Sequence, residues 1–79
     1  MKVEPYKLLQ LEFYTEGPAM DSNGNLYCTT LMGGYILKLG KEPAFSVWGS
    51  SPCPNGQVIL PNGDHLVCDS RQGLIARYN

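Results

Sequence analysis

Glu16 and Asn55 each stand directly before a glycine, Gly17 and Gly56, and the two pairs lie 39 residues apart. A carboxylate oxygen and an amide oxygen at matching points of a repeat suit a hard cation such as Ca²⁺, which takes oxygen ligands. The plainer alternative is a solvated loop glutamate and an asparagine that holds its own turn. Asp69, Ser70 and Arg71 follow the apolar run Leu66–Cys68 and form a second candidate cluster. There Arg71, with Asp69, could bind an acidic substrate at a channel mouth; a surface turn is the other reading. His65, the only histidine, follows the Asn62-Gly63-Asp64 turn and is expected as an exposed strand-end residue. The three cysteines have no C-x-x-C spacing, and Cys28 and Cys68 sit inside apolar strands as expected buried, reduced small hydrophobes. Ser50-Ser51 lacks the G-x-S-x-G context and an adjacent histidine, so the sequence gives no support to a serine-hydrolase triad there.

The elements that must position these residues repeat. EGPAMDSNGNLYCTTLMGGYILKL, from Glu16, and NGQVILPNGDHLVCDSRQGLIARY, from Asn55, align with Gly17 on Gly56, Asn23-Gly24 on Asn62-Gly63, Gly34 on Gly73 and Ile36 on Ile75. One extra residue near His65, compensated in the next turn, would also bring Leu26 onto Leu66 and Cys28 onto Cys68. A repeat of about 40 residues made of short apolar runs and glycine turns is the period of one four-stranded propeller blade. Alternation at Leu9, Leu11 and Phe13 predicts a lone strand within about 7–14. Blade one then spans about 16–48. It comprises a short run through Met20, the Asn23-Gly24 turn, Leu26–Thr30, a Gly33-Gly34 turn, Tyr35–Leu39, a turn at Gly40–Pro43 and Ala44–Trp48. The breaker-rich stretch Gly49–Pro54 reads as a loop. Blade two, about 55–79, has Gln57–Leu60, Leu66–Asp69 and Leu74–Tyr78. Trp48, Phe45 and Tyr35 are expected to pack between blades, and no segment carries helical periodicity over ten residues.

YTEGPAMDSNGNLYCTT, YILKL and PNGQVILPNGDHLVCDSRQGLIARY together resemble the start of the senescence-marker-protein/gluconolactonase family. The resemblance runs from about Leu9 to Asn79 and covers about the first third of a usual member. It implies a six-bladed propeller that holds a divalent cation, Ca²⁺ or Zn²⁺, in its channel and hydrolyses lactones or related esters. Glu16 matches the family's glutamate metal ligand, with a possible catalytic role as base. Asn55 matches a position from which other blades supply an asparagine ligand. The family's ligand aspartate, often assigned as general base, comes from a later blade that lies outside this sequence. Where bacterial gluconolactonases carry a Glu-His pair, this chain has Asp69 and Ser70.

The chain's 79 residues carry nine Gly, six Pro and a formal net charge of -1, which suits one small domain of tight turns. There is no basic footprint for nucleic acid and no polybasic membrane patch. MKVEPYKLLQLEF lacks the continuous apolar core of a signal peptide, and no 18-residue apolar run occurs, so the expected location is cytoplasmic. One strand, then four, then three make two blades' worth offset by one strand, which cannot close a ring. The expected assembly is therefore a homotrimer forming a six-bladed propeller, the N-terminal strand of one copy pairing with the last strand of the next. The expected function is a metal-dependent lactone or ester hydrolase. The alternatives are a non-catalytic propeller scaffold that binds a cation or small ligand, and a fragment that needs a partner chain.

Overall fold

The structure, a computed structural model, describes residues 3–8, 10–12, 14–40 and 45–79. Its strands are β1 (Glu16–Met20), β2 (Leu26–Thr29), β3 (Tyr35–Leu39), β4 (Phe45–Ser50), β5 (Pro54–Ile59), β6 (His65–Asp69) and β7 (Leu74–Tyr78). They form two antiparallel, blade-like sheets in the orders β1-β2-β3-β4 and β5-β6-β7. Among the described residues the all-β reading and the four-plus-three strand count of the two sheets hold. No helix among the described residues is long and apolar enough to cross a membrane.

Several local expectations change. The Gly33-Gly34 turn is a 3-10 turn over Leu31–Gly33, closed by Gly34 at φ 74°. The loop expected over Gly49–Pro54 shrinks to residues 51–53, because β4 runs on to Ser50 and β5 starts at Pro54. A bulge in the β3–β4 ladder makes this possible: Leu37 pairs with Val47 but Ile36 pairs with Gly49, leaving Trp48 as the extra residue. Pro54 is tolerated because the first residue of a strand can do without its N–H donor. Leu9, Phe13 and the turn residues 41–43 lie outside the described residues. The lone strand expected within 7–14 is not seen: the described residues there carry none.

The ladders show how the repeat is built. Met20 pairs with Leu26 and Ala19 with Tyr27; Ile59 pairs with His65 and Val58 with Leu66. Cys28–Leu37 and Thr29–Ile36 are matched by Val67–Ala76 and Cys68–Ile75. The turn bonds Asp21 N–H to Asn25 O and Gly24 N–H to Asp21 O recur as Leu60 N–H to Asp64 O and Gly63 N–H to Leu60 O. Every one of these matches keeps the same 39-residue step, so the extra residue expected near His65 does not exist. Leu26 corresponds to His65, Cys28 to Val67 and Thr29 to Cys68. The expected pairing of Cys28 with Cys68 followed residue likeness; a one-residue slip turns every side chain to the opposite face.

That step decides how the sheets stack. Ladder partners share a face and alternate residues along a strand face opposite ways. Tyr27, Thr29 and Ile36 therefore lie on one face of the first sheet, and His65 and Val67 on one face of the second. These two faces meet. Trp48 stacks on His65 with ring centroids 3.8 Å apart, and Tyr27 meets His65 edge-on at 4.5 Å. Tyr78 donates its hydroxyl to Ser50 O at 3.2 Å. The residues of the first sheet that correspond to His65 and Val67 are Leu26 and Cys28, on its other face. The stacking is thus head to tail, with the front of one sheet on the back of the next.

His65 is accordingly 1% exposed, not the exposed strand-end residue expected, because the bulge at Trp48 lays an indole across it. Cys28 is half-buried and Cys68 is exposed, so neither is the fully buried thiol expected. Trp48 does pack between the sheets, whereas Tyr35 and Phe45 are exposed.

Candidate functional site

Glu16 opens β1 and Asn55 is the second residue of β5, the strand lying beside it. Both are half-buried. Gly17 packs directly on the Asn55 backbone: a Cβ there would collide with the Asn55 carbonyl oxygen, and its φ of +52° is a conformation that side chains disfavour. Thr29 donates its hydroxyl to the same carbonyl at 2.6 Å, and Gln57 Nε2 donates to Gly17 O at 2.8 Å. These bonds fix the two strand starts against each other, so the structure brings Glu16 and Asn55 to the same end of adjacent sheets. Glu16 Oε1 accepts the Gly17 N–H at 3.1 Å.

Asn55 Nδ2 donates to Ser70 Oγ at 3.3 Å, which sets the second candidate cluster beside the first. Within it Asp69 and Arg71 behave differently. The Asp69 side chain is buried and organises the turn that follows β6. Its Oδ1 accepts the Arg71 and Gln72 N–H groups, and its Oδ2 accepts the Cys53 N–H and the Ser51 hydroxyl. Burial alone would push its pKa up, but the hydrogen bonds from Ser51, Gln72 and Cys53 outweigh it and hold the carboxyl well below the usual carboxylate range. Asp69 is thereby committed to three backbone N–H groups and the Ser51 hydroxyl, whereas Arg71 is exposed.

Sequence reasoning missed Asp21. It accepts the Asn23 and Asn25 N–H groups at 2.9 Å, Asn25 Nδ2 at 2.9 Å and the Tyr27 hydroxyl at 3.1 Å. Its pKa falls to about 2, chiefly through the Asn25 side chain and against the effect of burial. The Asp-Ser-Asn-Gly order was the available signal, since an aspartate at that point caps its own turn. Sequence reasoning also missed the polar seam of His65 and Gln57. Gln57 spends its amide N–H on Gly17 O, so its Oε1 accepts the His65 Nδ1–H at 2.9 Å. Burial pushes the imidazole below its ordinary 6.5 despite the opposing charges of Asp21 and Asp64. Burial likewise raises the Cys28 thiol, which argues against a reactive thiolate.

Among the described residues no three His, Cys, Asp or Glu side chains converge as metal ligands. Glu16 and Asn55 are the right kind of donors for a hard cation, but two oxygens are a fraction of the roughly six to eight that Ca²⁺ takes. No protein-family model and no curated protein sequence matches the chain.

Proposed function

We propose that the chain is a two-blade unit of a β-propeller, closed by further copies of itself as a homotrimer of six blades, and that its channel end works as a gluconolactonase-like hydrolase of a lactone or ester. The observation that carries this reading is the Asn55–Ser70 hydrogen bond. It joins Asn55, which lies at the same end of two head-to-tail sheets as Glu16, to the turn that carries Arg71. Glu16 and Asn55 would hold a divalent cation, Ca²⁺ before Zn²⁺, with the rest of its shell drawn from equivalent residues of other copies. When bound, such a cation supplies Lewis-acid polarisation and an activated water. Glu16 orients its carboxylate through the Gly17 N–H, and Arg71 offers an exposed cation to an acidic substrate. Asp69 shapes the substrate side indirectly, by holding the Arg71 backbone. The site would operate in the cytoplasm.

A second reading, a non-catalytic scaffold that binds a cation or small ligand, draws support from the commitment of Asp69 to backbone donors, which leaves Glu16 as the sole candidate base among these residues. Calcium titration calorimetry and a lactonase assay on simple aldonolactones separate the two. The hydrolase reading expects activity that disappears in Glu16→Gln and after chelation. Metal binding without turnover supports the scaffold, and activity surviving both treatments removes Glu16 from the site.

A further inference from the structure

The front face of the first sheet is covered and the same face of the second is bare. Ile36 is 0% exposed and its counterpart Ile75 is 71% exposed. Thr29 is buried and its counterpart Cys68 is exposed. Val58, Leu66, Cys68 and Ile75 line an open apolar groove of about 360 Å³ beside Gly56. The back face of the first sheet, with Leu26, Cys28 and Leu39, borders a second cavity of about 260 Å³, flanked by Tyr6 and Leu8 of the N-terminal segment. Its counterparts in the second sheet, His65, Val67 and Tyr78, belong to the interface already made inside the chain.

We propose that the groove of Val58, Leu66, Cys68 and Ile75 is the docking site for a second copy of this chain, which seats there the Leu26, Cys28 and Leu39 face of its first sheet. The proposal rests on the multi-copy ring proposed above and names the surface through which the copies join. The internal interface is its template. Each face of the inter-copy contact corresponds, at the 39-residue step, to a face already buried within one chain. Gly56 is the clearest mark. Its counterpart Gly17 has no room for a Cβ because the Asn55 carbonyl presses on it, while Gly56 has nothing within 4 Å. In the docked pair the counterpart of Asn55 is Glu16, so the Glu16 carbonyl of the incoming copy falls on Gly56. Cys68, standing where Thr29 does, then offers its thiol to that carbonyl. The same contact sets the Glu16 of one copy beside the Asn55 of another.

Docking requires Tyr6 and Leu8 to leave the back face they flank. One template bond is not repeated: Gln57 Nε2 donates to Gly17 O, but the counterpart of Gln57 is Pro18, which has no donor. The inter-copy contact is therefore weaker than the internal one and depends on concentration.

Sedimentation velocity over a concentration series tests the proposal, with the wild-type chain, Gly56→Val and Ile75→Lys compared. Both variants alter open positions, so circular dichroism and Trp48 fluorescence should match the wild type. The expected result is a concentration-dependent oligomer for the wild type and at least a 100-fold rise in its dissociation constant in each variant. Cys68 should be alkylated more slowly in the oligomer than in the variants. A wild-type chain that stays monomeric throughout overturns both the docking site and the ring. Oligomers of unchanged stability in both variants overturn this docking site alone and leave assembly through strand edges standing.

Discussion

Three polar side chains hold this small fold to a pH window. Asp21 is lowered to about 2 and Asp69 further, so the unfolded chain takes up protons at these sites before the folded one does. Their contribution is complete above the ordinary carboxylate value of 3.8 and is lost as pH falls through about 2 for Asp21 and lower still for Asp69. His65 has the same sign at a higher pH: the fold keeps it neutral, so stability is full above 6.5 and declines as acid protonates the unfolded imidazole first. Urea midpoints between pH 8 and pH 3 should therefore fall in two stages, and His65→Gln should erase the first while leaving the second. Asp69→Ala should lower the melting temperature more than Asp64→Ala. It strands the buried Ser51 hydroxyl and the Cys53, Arg71 and Gln72 N–H groups, whereas Asp64 meets Arg77 at 2.8 Å near the surface. None of this was legible beforehand in His65. A histidine after an Asn-Gly-Asp turn looks solvated, and its burial comes from an indole on another sheet.

At the scale of strands the repeat step was legible from Gly17/Gly56, Asn23/Asn62, Gly34/Gly73 and Ile36/Ile75, and the ladders follow it throughout. The slip at Leu66 and Cys68 came from matching residue types. Both strands read Leu-x-Cys, yet one presents Cys28 to the back face and the other presents Cys68 to the front. A hydrophobic pattern cannot reveal this where both faces of a sheet are apolar. The bulge at Trp48 was hidden for a related reason, since its extra residue is defined only against β3. The step predicts unequal costs at equivalent positions. Gly17→Ala meets positive φ and the Asn55 carbonyl and should cost at least the roughly 1–2 kcal/mol of left-handed backbone. Gly56→Ala should change chemical-denaturation stability by less than about 0.5 kcal/mol at dilutions where copies separate. Equal losses at the two sites would show that the repeats differ locally more than their ladders do.

For the whole molecule, the ring proposed above would multiply residue chemistry by copy number. As a trimer, that ring would gather three Glu16 carboxylates and three Asn55 amides around one axis. Two like charges ~4 Å apart at an effective dielectric of 20 cost roughly 4 kcal/mol, and a cation on the axis relieves that repulsion. Chelator should therefore lower the melting temperature of the oligomer and added Ca²⁺ restore it, while Glu16→Gln should abolish both responses. An oligomer with an unchanged melting curve would place Glu16 in water. Deleting residues up to Gln10 should dissociate or aggregate the assembly, because β7 would lose the strand expected to cover its outer edge. The sequence could announce two repeated, blade-like sheets. It could not announce which apolar face stays bare, since that depends on the hand of the stacking.

The described ladders join only strands that follow one another along the chain, and this bears on how quickly order arises. Contacts between near neighbours in sequence close first, hairpins within about 1–10 μs, because little loop entropy is spent on them. The seam that unites the sheets is of another kind: Trp48 on His65, Thr29 on Asn55 and Gln57 on Gly17 span long stretches of chain. Two clocks should thus run in stopped-flow refolding. The far-ultraviolet strand signal should rise first, and Trp48 emission should settle afterwards, when its indole finds the imidazole.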